Sequence, residues 1–196
     1  RSRLEADYLS RELPVIGTIK PSVFRRIVLV FWKAIDHAER CYRYIDEIKT
    51  ADVDFELSID ETRTITTPQE HYVIANELIS RGVHPVSVAP HFSGAFEKGF
   101  EYSGSLQDFA RDFEAHQEIA ALFGYKLSLH SGSDKFSVFP TVGRVTKGHV
   151  HVKTAGTNWL EAMRVVSRHA PALYRRAHSF ALQNRAQAEA YYHVST

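Results

Sequence analysis

Several features that often reveal a protein's class are scarce in this chain of 196 residues. Its single cysteine, Cys41, excludes an internal disulfide framework and is typical of a reducing compartment, so we expect a cytoplasmic protein. The 24 Lys and Arg residues nearly balance the 23 Asp and Glu residues, which argues against a nucleic-acid-binding protein. The longest apolar run, Ile27 to Trp32, is far too short to span a membrane, and no signal-peptide pattern opens the chain.

The composition that remains is that of an ordinary globular protein. Hydrophobic residues make up 44% of the chain and charged residues 24%, so we expect a single domain over residues 1–196. The chain starts at Arg1 rather than at Met, and we expect a fragment of a longer protein. Residues 1–21 are predicted to be irregular, with VIGTIKPS, Val15 to Ser22, as a candidate short strand.

Hydrophobic periodicity predicts alternating helices and strands. Apolar residues at helical spacing from Ile27 to Ile48 predict a long helix. Thr67, Pro68 and Glu70 form the pattern of an N-terminal capping box with proline at the first helical position. The predicted strands cover residues 54–60, 85–90, 125–131 and 149–155, and the further predicted helices cover residues 67–81, 105–124, 157–169 and 171–192.

This alternation predicts an α/β protein whose parallel strands are joined by right-handed crossovers. An open doubly wound sheet and a (β/α)-barrel both satisfy the pattern. No glycine-rich dinucleotide or phosphate fingerprint follows any strand, so we favour a TIM-barrel-like fold. A complete barrel needs about 250 residues, whereas four or five strands are visible here. We therefore expect a partial barrel, corresponding to the C-terminal half.

Each predicted strand has one apolar face and one polar face. In a barrel the polar faces converge on one axis, and the carboxyl ends of the strands form the catalytic rim. A sheet of antiparallel strands that shows its polar faces to water is the alternative interpretation. The rim residues predicted to be neighbours are Asp60, His91, His130, His151 and Lys153.

These residue types suit a divalent-metal site with an acid/base group beside it. His130 and His151 end strands on the polar face and are the predicted metal ligands. The adjacent carboxylates Asp60 and Glu61 could supply an acid/base group and a further ligand. For each histidine, the alternative is a buried side chain that only makes structural hydrogen bonds. For each carboxylate, the alternative is a side chain that caps a turn.

Cations and small polar residues beyond the strands suit an anionic substrate. Three lysines follow strands, and the stretch LSLHSGSDKFS adds hydroxyls and main-chain N–H groups that can bind substrate oxygens. A solvated surface charge is the alternative for each lysine. The predicted substrate-binding residues are His91, Lys98, Ser131, Asp134, Lys135 and Lys153.

Five segments resemble the tagaturonate epimerase family of bacterial hexuronate catabolism. They are DFELSIDET, HYVIANELISRGV, FEKGFEY, GYKLSLHSGSDKFSVFP and HVKTAGTNWLEA, and the likeness extends roughly from Lys33 to Tyr174. The resemblance implies a metal-dependent enzyme that interconverts D-tagaturonate and D-fructuronate. It implies a divalent metal held partly by His130 and His151, and acidic proton acceptors and donors at Asp60 or Glu61. Residues 1–30 match poorly, and we expect an N-terminally truncated member.

The implied reaction inverts a carbon that is β to a ketone, so simple enolisation does not acidify its C–H bond. Retro-aldol cleavage followed by re-addition avoids this problem, and so does transient oxidation by a nicotinamide. Since no dinucleotide motif is visible, we favour the retro-aldol route.

Three alternatives to this function stay open. They are another metal-dependent sugar isomerase or aldolase, a non-catalytic sugar-acid-binding remnant, and a half-barrel that pairs with a second copy. The expected partner is a small anionic sugar acid, with no nucleic acid and no membrane, and a homo-oligomer remains open.

Overall fold

Four parallel strands form the central sheet of the computed structural model, which describes residues 2–9, 11–154 and 157–190. The strands lie side by side in chain order, and each pairs in parallel with the next. Parallel neighbours require a crossover connection, so the chain returns through helical segments between successive strands. The strands are β1 (Glu56–Ile59), β2 (Ser87–Pro90), β3 (Lys126–Leu129) and β4 (Val150–Val152).

Helices precede, separate and follow these strands. The core includes the fully buried Phe109 and Phe113, both within the helix Leu106–Phe123, and Leu127 of β3. None of the helices in the described ranges combines the length and apolarity that a membrane crossing requires. The helices are α1 (Ser2–Leu9), α2 (Pro21–Ile48), α3 (Pro68–Ser80), α4 (Leu106–Phe123), α5 (Phe139–Thr146), α6 (Thr157–His169), α7 (Pro171–Gln183) and α8 (Arg185–Glu189).

The start of α3 confirms the capping box that the sequence predicted. The amide of Glu70 donates to Thr67 Oγ1 at 3.2 Å, and the amide of Thr67 donates to Glu70 Oε2 at 2.8 Å. Two helix-end donors are thus satisfied within four residues. The capping box therefore fixes the point at which α3 begins after the loop that follows β1.

The N-terminal expectations were wrong in two respects. The segment 1–21 is not irregular throughout, because α1 lies in it. Tyr8 of α1 is fully buried, stacks on Phe24 at 5.2 Å and donates to Glu77 Oε1 at 2.7 Å. Such long-range contacts stabilise a helix that eight residues could not maintain alone. The candidate strand over 15–22 is absent from this described segment: Leu13 and Gly17 form an isolated antiparallel bridge, and α2 begins at Pro21.

Two C-terminal features also differ from expectation. Helix α5, FPTVGRVT, was not predicted, because its β-branched residues and its glycine are poor helix formers. Burial of Val142 supplies the tertiary contact that favours it. The helix predicted over 171–192 is interrupted at Asn184, between α7 and α8. The predicted ends at Ala155 and Tyr192 lie outside the described residues.

A fully buried pair of histidines connects α3, α4 and the start of β3. His116 Nε2 donates to the carbonyl of Thr66 at 3.0 Å, so its Nδ1 accepts from His71 Nδ1 at 2.8 Å. His71 Nε2 then accepts from the hydroxyl of Tyr125 at 2.7 Å. This assignment satisfies every ring nitrogen with both imidazoles neutral. Burial, and secondarily His116, hold the pKa of His71 well below its usual range.

We expect this pair to weaken the fold in mild acid. The unfolded chain binds a proton at His71 below about pH 6.5, whereas the folded protein does not. The free energy of unfolding therefore falls as the pH drops below that value. Between pH 7.5 and 5.5 the His71 contribution is about 1.4 kcal/mol. Urea unfolding at both pH values should show that the wild type loses about this much more stability than His71→Gln, because every other group titrates in both proteins.

The exposed His84, changed to Gln, is the matched control and should leave the pH dependence intact. Equal pH dependence of the wild type and His71→Gln would mean that the folded protein protonates His71 after all.

Candidate active site

Glu56, at the start of β1, is the centre of a polar cluster on the sheet. His130 Nε2 donates to its Oε1 at 2.7 Å, and His151 Nδ1 donates to its Oε2 at 2.7 Å. The hydroxyl of Ser87, the register partner of Glu56 on β2, donates to Oε2 at 2.5 Å. One carboxylate on β1 thus joins side chains that the other three strands or their ends supply.

Asp60 lies on the other side of the His130 ring. Its Oδ2 is 2.9 Å from His130 Nδ1, and its Oδ1 accepts from the hydroxyl of Ser58. His130 is therefore held between two carboxylates, and its side chain is only 8% exposed. The side chain of His151, on the edge strand, is 48% exposed. We refer to Glu56, Asp60, His130 and His151 as the carboxylate–imidazole cluster.

The hydrogen bonds within this cluster set its charges. Burial alone would raise the pKa of the Glu56 carboxyl, but hydrogen bonds from two hydroxyls and two imidazoles outweigh it and lower the pKa to about 2. Burial likewise opposes ionisation of Asp60, and hydrogen bonds from His130 and Ser58 outweigh it, so its pKa is lowered. The hydrogen bond to Asp60 raises the pKa of His130. Burial of the ring lowers this pKa, and the hydrogen bond to Glu56 raises it further. Both carboxylates are thus ionised near neutral pH.

A polar cavity of about 140 Å³ opens beside the cluster. Its lining includes Asp60 and His130 from the cluster, together with His91, Phe96 and Ser131. His91 Nδ1 donates to the carbonyl of Thr62 at 3.0 Å, which leaves Nε2 as the acceptor of the neutral ring. Larger cavities lie elsewhere: those of about 330 and 300 Å³ are lined mostly by apolar side chains, and one of about 270 Å³ borders Glu97, Phe100 and Glu101.

The structure brings together most of the predicted rim residues. Asp60 contacts His130 directly, Glu56 joins His130 to His151, and His91 and Ser131 line the adjacent cavity. The exposed Lys153 lies close enough for its charge to oppose the raised pKa of His130. Other predicted residues lie outside the cluster and the cavity lining: Glu61 and Lys98, which are exposed, and Asp134, which is partly buried.

One prediction was wrong: Lys135 does not present its ammonium group to a substrate. Its side chain is fully buried and donates to main-chain carbonyls, including that of Glu97 at 2.7 Å. The burial of Lys135 could not be predicted from the sequence, because the backbone adopts a left-handed conformation at Asp134, the residue before Lys135.

Glu56, at the centre of the cluster, is a residue that the sequence-based prediction did not include. Strand alternation placed it on the polar face of β1 with Asp60. The predicted rim, however, included only residues at the ends of the polar faces, whereas Glu56 is the first residue of β1. A carboxylate in a half-buried strand position was the signal that could have identified it.

The donor chemistry of the cluster fits a divalent cation, although the described residues do not complete a ligand set. Two imidazole nitrogens face one carboxylate, and Asp60 supports His130 from behind, as carboxylates commonly support metal-bound histidines. No three His, Cys, Asp or Glu side chains in the described part of the chain are arranged to hold an ion. Metal binding by His130 and His151 therefore stays a prediction.

Gly132 permits a close approach between the loop after β3 and strand β4. A Cβ atom at this position would lie 2.4 Å from Val152 Cγ1 and 3.2 Å from the carbonyl of Leu129. We expect Gly132→Ala to lower the free energy of unfolding by about 1–3 kcal/mol through overpacking. Gly143→Ala in α5 is the matched control, because a Cβ there meets nothing within 4 Å.

The control should stabilise the protein by about 0.5–1 kcal/mol through helix propensity. Urea unfolding measures both changes. A neutral or stabilising Gly132→Ala would contradict the close contact.

Comparisons with known proteins identify similar chains. The sequence profile of a family described as tagaturonate epimerase matches residues 1–196. This full match corrects the expectation that residues 1–30 match poorly. The tagaturonate/fructuronate epimerase of Thermotoga maritima is 41% identical over 199 residues, which cover 100% of this chain and 41% of that protein.

Solved structures of a fructuronate-tagaturonate epimerase are also similar to this chain. The glycerol-complexed crystal structure of fructuronate-tagaturonate epimerase UxaE from Cohnella laeviribosi superposes with a TM-score of 0.92 at 49% identity, covering 100% of this chain and 41% of that chain. The native crystal structure of the same enzyme superposes with a TM-score of 0.92 at 48% identity, with the same coverage. The present chain thus spans 41% of the length of these relatives.

Proposed function

We propose, because this chain belongs to the tagaturonate epimerase family, that its carboxylate–imidazole cluster is part of an active site that interconverts D-tagaturonate and D-fructuronate. The observation that carries the proposal is the Glu56 carboxylate, which holds His130 and His151 at 2.7 Å each. Beside it lies a polar cavity whose lining includes His91 and Ser131. A sugar acid offers hydroxyl groups to such a lining and a negative charge to the nearby Lys153.

We infer further that the sheet is part of a (β/α)-barrel. Its four parallel strands follow one another in chain order without a reversal. A doubly wound sheet changes direction at a switch point, whereas a barrel continues in one direction until it closes. In a barrel Asp60 and His130, which directly follow β1 and β3, would lie at the carboxyl ends of the strands, where catalytic residues of such enzymes are found.

The chemistry we propose is retro-aldol cleavage and re-addition. A base removes the proton from the hydroxyl on the β carbon, and the bond between the α and β carbons breaks. The aldehyde rotates, and the bond re-forms on its other face with return of the proton. Glu56 is ionised near neutral pH and bonded to both imidazoles of the cluster, and it is the group we assign to accept that proton at a carboxylate oxygen. Asp60 orients His130 through Nδ1.

We propose that His130 and His151 would hold a divalent cation in this site. The chemistry that a bound cation supplies is Lewis-acid stabilisation of the negative charge on the cleaved fragment. His91 and Ser131 would bind substrate hydroxyls, and Phe96 would exclude water from one side of the cavity.

The test is conversion of D-tagaturonate by the purified protein with Mn²⁺, Zn²⁺ or a chelator, followed by NMR. We expect D-fructuronate to form only with a divalent cation and without added NAD. A labelled trapping aldehyde should enter the product if the carbon–carbon bond breaks. A requirement for NAD with no crossover would overturn the retro-aldol route.

The same assay separates a second candidate function. Because the chain spans 41% of its relatives' length, it could bind the sugar acid without converting it. Saturable binding of D-tagaturonate by calorimetry, with no product at any cation concentration, would identify such a remnant. Conversion of other ketoses in preference to D-tagaturonate would instead favour a different sugar isomerase or aldolase.

A further inference from the structure

Lys135 is a buried ammonium group whose partners are main-chain carbonyls. It is fully buried, and it donates to the carbonyls of Glu97 at 2.7 Å, Ser133 at 3.3 Å and Phe100. A lysine ammonium has three N–H donors, so each has a partner. A buried charge is expensive unless its hydrogen bonds are made, and this arrangement makes them.

These bonds join two loops that are far apart in sequence. The loop after β2 contributes the carbonyls of Glu97 and Phe100, and the loop after β3 contributes Lys135 itself. Glu101 provides a second link, since its Oε1 accepts from the hydroxyl of Ser137 at 3.0 Å and the amide of Tyr102 at 2.7 Å. The two loops are thus connected by the hydrogen bonds from the Lys135 ammonium group to three carbonyls, which we call the cage, and by the hydrogen bond between Ser137 and Glu101.

The same two loops each line part of the polar cavity, and we call these parts the Phe96 wall and the His130–Ser131 wall. Phe96 belongs to the loop after β2, and His130 and Ser131 begin the loop after β3. Ser131 has a φ of 50° and Asp134 a φ of 65°, a left-handed conformation that L-residues rarely adopt. Such conformations persist where the surroundings determine them, and Lys135 directly follows the second.

We propose that Lys135 is a positioning residue whose ammonium group, enclosed by three main-chain carbonyls, holds the Phe96 wall of the cavity against the His130–Ser131 wall. The lysine contacts no cavity surface itself and acts through the loops that it joins. This inference concerns the shape of the cavity, and it does not depend on which substrate the cavity accepts.

The first test is amide hydrogen exchange of the full chain carrying Lys135→Met, followed by mass spectrometry. Methionine fills the space but leaves the carbonyls of the cage without a donor. We expect exchange in residues 95–103 and 130–138 to be about 10- to 100-fold faster. Exchange in α3 should be unchanged. Lys126→Met, at an exposed lysine of β3, is the matched control and should exchange as the wild type does.

The second test is chemical rescue, which a lysine that only fills space would not show. Lys135→Ala removes the atoms from Cγ to Nζ, and n-propylammonium supplies the same atoms. We expect it to restore exchange in residues 95–103 to within about threefold of the wild type. Tetramethylammonium, which has no N–H donor, should not rescue, and Lys135→Met should not respond.

Two results would overturn the proposal. One is wild-type exchange in both loops of Lys135→Met, because the cage would then be dispensable. The other is equal rescue of Lys135→Ala by both cations, or by neither while the chain stays folded, because the hydrogen-bonding ammonium would then not hold the loops.

Discussion

Replacing Glu56 by glutamine should lower the rate of interconversion of D-tagaturonate and D-fructuronate by about 10²- to 10⁴-fold, the range typical of a lost acid/base group. The amide keeps the shape of the carboxylate, but it has no negative charge and does not accept a proton. Its N–H₂ group would also replace one of the carboxylate oxygens that now accept hydrogen bonds from His130 and His151, so a donor would face a donor. Initial rates at saturating substrate and cation, together with KM, measure the loss.

Glu118→Gln is the matched control, because Glu118 is exposed on α4 and belongs neither to the cluster nor to the lining of the polar cavity. Its rate should equal that of the wild type. A Glu56→Gln variant that keeps more than about a tenth of the wild-type rate would show that Glu56 only organises the histidines. The proton acceptor would then have to be sought elsewhere, with Asp60 as the nearest carboxylate behind His130.

Local signals in the sequence predicted the elements that carry this site. The capping box at Thr67 and Glu70 involves residues of a single turn, so neighbouring residues determine it. Strand alternation likewise needs only the order of side chains along one strand, and it put Asp60 and His130 on polar faces. Their contact at 2.9 Å follows once the strands run parallel in one sheet.

Long-range features set the rest of the site. The register pairs Glu56 with Ser87, and Ser87 with Lys126, yet the Glu56 carboxylate contacts His130, which follows the end of β3. That contact depends on the three-dimensional arrangement of the sheet and of the loop after β3. Register between strands that are 30 or more residues apart depends on tertiary packing. The burial of Lys135 similarly depends on contact between the loops after β2 and β3, which no local sequence pattern predicts.

Replacing His130 by alanine should weaken divalent-metal binding by more than about 100-fold. Loss of a group that merely supports a ligand typically lowers metal affinity by about 10- to 100-fold, and loss of the ligand itself should exceed that. His130 is the candidate because its ring is the most enclosed member of the cluster, 8% exposed, with Nε2 directed at the carboxylate of Glu56. Calorimetric titration with Mn²⁺ and with Zn²⁺ gives the affinity and the stoichiometry, and His84→Ala is the exposed control.

Asp60→Asn distinguishes a metal ligand from a histidine that only orients Glu56. The asparagine oxygen can still accept from His130 Nδ1, so the ring keeps its position while losing the charge that Asp60 now places 2.9 Å away. If His130 binds metal through Nε2, this variant should fall between the wild type and His130→Ala, with affinity lowered by about 10- to 100-fold. If His130 serves Glu56 alone, both variants should bind metal as the wild type does and lose only turnover, because the imidazole would then act on the carboxylate and not on the cation. The order of the three affinities, rather than the loss in any one variant, therefore decides whether His130 binds the metal.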